Sequence, residues 1–253
     1  METGSTQAGP YAWRARVGMI TPSGVHEING HEFYLMAPEG VSVAMTSLHS
    51  QGWATDSFGR LEDATKEIAD RGVNCLVQAG TPHVAFHGWP YHETVVNRIQ
   101  SVANLPVATD MGSCIDAMQR LQLKRVVMLS PFDDADSEKL ASYVSHAGIE
   151  IAAWDCILNH SVGATGNFMY DMATLPLSTV YRAARDLYRK HRDEVDGIWL
   201  TGAAMPTVGA VRSIENDTGV PVVSSMQAMF WAGLRLCGIT ERINGFGRLL
   251  MEH

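Results

Sequence analysis

Short apolar runs alternate with longer segments of helical spacing along almost the whole chain. Arg16-Val-Gly-Met-Ile20 reads as a first strand, closed by the turn residues Thr21-Pro-Ser-Gly24. Residues 33–36 and 41–45 are apolar stretches parted by Ala37-Pro-Glu-Gly40, and the second has strand character. Phe58, Leu61, Ala64 and Ile68 recur at helical spacing, which predicts a helix over 58–70. Arg71-Gly72 ends it, and a buried strand follows over 73–78. A helix over 92–102, a short strand at 106–108 and a helix over 110–121, with Asp110 suited to its N-cap, complete a first half.

The second half repeats the alternation. Strands are predicted at 125–129, 149–153, 197–200 and 220–223, and helices at 134–147, 177–191, 207–216 and 224–237. Gly148 stops the first of these helices, and residues 159–176 read as irregular. Such alternation implies α/β architecture with mostly parallel sheets covered by helices on both faces.

Two stretches share one design. Cys75-Leu-Val-Gln-Ala-Gly-Thr-Pro-His83 and Gly197-Ile-Trp-Leu-Thr-Gly-Ala-Ala-Met-Pro206 each run from a buried strand into a glycine turn and then a proline. Glycine there permits a tight turn or a close ligand approach, and open α/β sheets bind ligands beyond such strand ends. Two of them in one chain suggest two similar halves with a site between, although each is also an ordinary strand-to-helix turn.

Composition narrows the partners. The chain has 253 residues and a formal net charge of −8, which argues against nucleic acid and against anionic membranes. A small anionic substrate stays open, since a few local donors suffice to hold it. No apolar run approaches the roughly 20 residues of a membrane span, and Met1 to Pro10 lacks the basic-then-apolar pattern of a signal peptide. Cys75, Cys114, Cys156 and Cys237 form no CxxC pair and read as reduced, mostly buried thiols of a cytoplasmic protein.

Several motifs carry a family resemblance. Val17-Gly-Met-Ile-Thr-Pro-Ser23 resembles the opening strand of the aspartate/glutamate racemase superfamily, in its maleate isomerase and arylmalonate decarboxylase branch. Ala79-Gly-Thr81, Leu105-Pro-Val107, Ser130-Pro-Phe132, Leu200-Thr-Gly202 and Pro221-Val-Val-Ser-Ser225 extend it from about Arg16 to Leu236. The resemblance implies two pseudo-symmetric lobes with the active site in the cleft between them, no cofactor, and a small carboxylate substrate. It divides the chain into a polar tail (1–14), an N-terminal lobe (15–115 plus 225–253) and a C-terminal lobe (116–224). A homo-oligomer is expected.

The resemblance also implies a cysteine at the end of the key strand of each lobe, and this chain departs from it there. The two positions correspond to Gly80 and to Gly202, or within one residue to Ala203. Cys75 lies about 16 Å back along an extended strand and is not a substitute. The expected tyrosine is Phe132 and an expected asparagine is Ser137. An anion cradle remains on this reading: Thr81 supplies a hydroxyl, and N–H groups around Gly80, Gly202 and Ala203 form a nest. Pro22, Ser23, Pro82, Phe132, Ala204 and Met205 complete the expected substrate wall. With the backbone permitting, a cysteine restored at either glycine needs only a Cβ and a sulfur.

His83, three residues past Gly80, is the first candidate to replace the thiols as acid or base, because its free pKa is near neutrality. A loop histidine facing water is the competing reading. Asp110 is the second: a buried carboxylate at that strand end would have a raised pKa, while an N-cap role competes. His26 and Glu27 are third. The series His83-x3-His87-x4-His92 lacks a carboxylate or cysteine to complete a metal set, so no metal is expected. The sequence thus suggests a cofactor-independent enzyme acting on a small mono- or dicarboxylate through an enolate-like state. Decarboxylase, hydratase, other lyase or isomerase chemistry would use a non-thiol acid/base. The alternatives are a non-catalytic carboxylate-binding or regulatory protein, or a thiol enzyme using Cys114 or Cys156.

Overall fold

The computed structural model describes residues 10–23, 27–50 and 58–253. Two four-stranded parallel sheets carry the fold. The first, in order β2-β1-β3-β4, contains β1 (Ala15–Thr21), β2 (Val41–Ser47), β3 (Cys75–Gln78) and β4 (Val107–Thr109). The second, in order β6-β5-β7-β8, contains β5 (Arg125–Ser130), β6 (Glu150–Cys156), β7 (Gly197–Leu200) and β8 (Val222–Ser224). The orders are the same when each half is counted from its own first strand, so β3 and β7 occupy equivalent inner places. Both are buried along their whole length, as expected of strands covered on both faces.

Between the strands run α1 (Glu27–Met36), α2 (Leu61–Ala69), α3 (Thr81–Ala85), α4 (Tyr91–Val102) and α5 (Asp110–Arg120) in the first half. The second half has α6 (Asp134–Ser145), α7 (Phe168–Ala173), α8 (Leu177–His191), α9 (Val208–Thr218), α10 (Ser225–Leu236) and α11 (Arg248–Glu252). Helix α10 leaves the second sheet but packs on β3, β4 and α5 of the first half. One apolar cluster therefore runs through both halves, joining Leu76, Met111 and Met118 to Trp199 and Val223. Among the described residues no helix is long and apolar enough to cross a membrane.

The structure departs from the predicted elements at a few places. Residues 81–85 are helical, because Pro82 falls in the first turn, where its missing N–H leaves no bond unmade. The 33–36 stretch belongs to a helix that starts at Glu27. The irregular segment contains α7, N-capped by Asn167, and α11 was not predicted. The N-cap of α5 is Thr109, whose hydroxyl accepts the Gly112 N–H at 3.0 Å. Asp110 is therefore the first helical residue, not the cap.

Candidate active site

A cavity of about 240 Å³ opens where the carboxyl ends of the two sheets face each other. Pro22, Ser23, Asn29, Ser50 and residues 79–83 line it from the first half; Pro131, Phe132, Phe168, Met169 and residues 202–204 line it from the second.

The two glycine turns are built alike. Gly80 has φ +108° and Gly202 φ +95°, backbone that side chains of L-residues rarely adopt. The Gly80 N–H donates to Asp110 Oδ2 at 3.1 Å, and the Gly202 N–H donates to Ser225 Oγ at 3.1 Å. Asp110 and Ser225 are the first residues of α5 and α10, each following its own capping hydroxyl, Thr109 or Ser224. At the midline the hydroxyls of Thr81 and Thr201 meet at 3.2 Å, linking the halves.

The cavity faces of these turns differ sharply. A Cβ built on Gly80 would lie 2.7 Å from His83 Nδ1 and 3.4 Å from Pro22 Cγ, so the imidazole fills the space that a side chain at position 80 would take. A Cβ on Gly202 would lie 2.7 Å from Pro131 Cγ and 3.6 Å from Phe132 Cζ. One turn is thus covered by a ring nitrogen, the other by apolar rings. His83 is buried, with Nε2 3.4 Å from Ser50 Oγ. Phe132 stacks on Phe168 with centroids 6.0 Å apart, and its N–H donates to Ser130 Oγ.

Helix α1 fixes the second turn from across the cleft. Asn29 Nδ2 donates to the Ala203 carbonyl at 3.1 Å. The Glu32 carboxylate accepts the N–H groups of Thr207 and Val208, the latter at 2.9 Å, at the start of α9. Burial pushes the Glu32 carboxyl up to about 7, against the lowering effect of those N–H groups.

Of the residues singled out in the sequence, Pro22, Ser23, Gly80, Thr81, Pro82, His83, Phe132, Gly202, Ala203 and Ala204 lie together on the cavity wall. Met205 does not; its side chain is buried in the apolar core of the second half, and its N–H donates to the Gly202 carbonyl. Asp110 does not either. It is completely buried behind Gly80, and its carboxylate receives the N–H groups of Gly80 and Thr81, the Ser225 hydroxyl and the Cys114 thiol. Burial raises it to about 6, with those donors pulling the other way. It braces a turn and does not face the cleft. The expected nest is smaller for the same reason, since the N–H groups of Gly80 and Gly202 are turned inward. No described residue accepts from the Ala203 and Ala204 N–H groups.

Glu27 lies in a separate groove with His31 and Glu32, and His26 is outside the described residues. Cys114 is buried against Asp110 and Ser225, and Cys156 ends β6; neither lines the cavity. Asn29, Ser50, Ala79, Pro131, Phe168 and Met169 were missed. A signal for Asn29 existed: with Glu32 it makes a polar pair at helical spacing beside Phe33 and Met36, an invitation to a buried hydrogen-bonding role.

The family model described as arylmalonate decarboxylase matches residues 17–250. Arylmalonate decarboxylase from Bordetella bronchiseptica is 25% identical over 240 residues, spanning 93% of this chain and 96% of its own length. Maleate isomerase from Pseudomonas putida is 27% identical over 190 residues, spanning 73% and 72%. A solved structure of the maleate isomerase Iso from Pseudomonas putida has a TM-score of 0.82 at 23% identity, covering 94% of this chain and 98% of that one, a likeness of fold.

Proposed function

The chain belongs to the arylmalonate decarboxylase family, and from that membership we propose that it decarboxylates a small substituted dicarboxylate without a cofactor, with His83 as the proton donor to carbon. The observation that carries the reading is the unequal cover of the two glycine turns: an imidazole over Gly80, and Pro131 with Phe132 over Gly202. Proton exchange from both sides of one carbon needs a group on each side, and among the described residues only the Gly80 turn is covered by one. Decarboxylation needs just one.

In this reading the leaving carboxylate lies against Pro131, Phe132 and Phe168. An apolar wall disfavours the anion more than neutral CO2, so the charge is released as the C–C bond breaks. The bonding pair passes into the retained carboxylate as an enediolate. Its oxygens are held by the Thr81 hydroxyl and the Ala203 and Ala204 N–H groups. His83, protonated, then gives its proton to the carbon, and the net change is one proton taken up and one CO2 released. Asp110 and Ser225 act only by fixing the turns.

Incubation with phenylmalonate and with α-methyl-α-phenylmalonate in deuterated water tests this. CO2 release, one deuteron in the product and a single product enantiomer from the α-methyl substrate are expected, since the proton arrives from one side. His83→Gln should lower kcat by about 10²–10⁴ with binding retained. Full activity in that variant removes His83 from the mechanism. Saturable binding of malonates with no CO2 release would identify a carboxylate-binding protein in place of an enzyme.

A further inference from the structure

Two of the four cysteines meet, although 162 positions separate them. Cys75 opens β3 and is wholly buried; Cys237 follows the last residue of α10 and is half-buried. Their sulfurs are 3.3 Å apart, and the Cys75 thiol also lies 3.4 Å from the Gly233 carbonyl on α10. A disulfide needs about 2.05 Å between sulfurs, so closure asks for a movement of roughly 1 Å.

We propose that Cys75 and Cys237 are a peroxide-responsive dithiol, with Cys237 as the attacking thiol and Cys75 as its resolving partner. Cys237 is the half-buried residue of the pair, the one nearer to a small oxidant in solvent, and Cys75 is wholly buried beside it. Electrostatics agree with this division. The contact with Cys75 lowers the Cys237 thiol from its ordinary value, whereas the same contact and burial raise Cys75. Burial raises the other two, Cys114 and Cys156. The thiolate is the reactive form, so Cys237 is the most reactive of the four.

The chemistry balances with a hydroperoxide as oxidant. The Cys237 thiolate attacks one peroxide oxygen, an S–O bond forms, the O–O bond breaks, and hydroxide leaves to be protonated as water. The Cys75 sulfur then attacks Cys237, an S–S bond forms, the S–O bond breaks, and the departing hydroxide takes the proton of the Cys75 thiol to leave as a second water. Two thiols lose two electrons, and hydrogen peroxide becomes two waters.

The bond would tie two parts of the cleft together. β3 ends beside Gly80, and α10 begins with Ser225, which holds the Gly202 N–H. Oxidation therefore fastens the strand bearing one turn to the helix bracing the other.

The test is peptide mapping of the whole chain after hydrogen peroxide, without reductant. A Cys75–Cys237 cross-linked peptide is expected, lighter by two hydrogens and released by a thiol reductant. Tm should rise by about 5 °C or more on oxidation, because the bridge closes a long loop. With limiting iodoacetamide on the reduced protein, Cys237 should react at least tenfold faster than Cys114 or Cys156. In Cys75→Ser, peroxide should leave Cys237 as a sulfenic acid trapped by dimedone. Wild-type protein that gives only sulfinic acid at Cys237 with no cross-link, or that cross-links Cys237 elsewhere, overturns the proposal. The wild-type map decides the matter even if a variant fails to fold.

Discussion

At the scale of the residue, the two glycines decide what the cleft can accept. At φ +108° and +95° each lies where a Cβ costs on the order of 1–3 kcal/mol before any contact is counted. The contacts then differ. At Gly80 the obstacle is His83 Nδ1, the end of a side chain that can turn away; at Gly202 it is the Pro131 ring, which cannot. Gly202→Ala should therefore destabilise more than Gly80→Ala, by about 1 kcal/mol further, in urea unfolding. Gly80→Ala should mainly harm turnover, because it displaces the imidazole. Equal stability losses with equal activities would contradict this assignment. The idea that a cysteine fits at either position by simple addition of Cβ and sulfur is corrected on the same ground.

At the scale of the element, α1 is held across the cleft through Asn29 and Glu32. Glu32 sets a pH dependence whose sign follows from its raised pKa. The folded chain favours the protonated form, so stability is greatest below about 4.5 and declines as pH rises toward 7. The change is about 3 kcal/mol if the carboxyl reaches about 7, at 1.36 kcal/mol for each tenfold change in proton affinity. Glu32→Gln keeps an acceptor for the Val208 N–H and removes the titration. Denaturation at pH 5 and pH 7.5 should then show a much smaller stability difference in the variant than in the wild type. An unchanged difference would place the titrating group elsewhere.

At the scale of the whole molecule, the halves are joined where α5 and α10 meet. Asp110, Cys114 and Ser225 are buried there, and the Thr81 and Thr201 hydroxyls meet close by. Ser225→Ala leaves the buried Gly202 N–H without its acceptor, a cost of about 1–3 kcal/mol. A surface pair is worth far less: Arg125→Ala, which breaks an exposed contact with Glu150, should change stability by under about 1 kcal/mol. Chemical denaturation compares the two directly. A Ser225→Ala loss no larger than that of Arg125→Ala would mean the interface does not depend on this bond.

The periodicity of the sequence determined the alternating strands and helices, because burial on both faces of a parallel sheet writes continuous apolar runs into β3 and β7. The turn motifs determined that Gly80, Thr81, Gly202 and Ala203 share a wall, since backbone conformations closed to other residues leave glycine as their mark. Short helices escaped because five or six residues, as in α3 and α7, are too few to show a period. Tertiary structure alone decided where Asp110 points. Cap, base and brace all call for a carboxylate at the start of a helix, and only the position of the Gly80 N–H chooses among them. It alone also brought Asn29 and Phe168 to the cavity and Cys75 to Cys237, because contacts across 139 or 162 residues depend on how two sheets dock, and no local pattern records that.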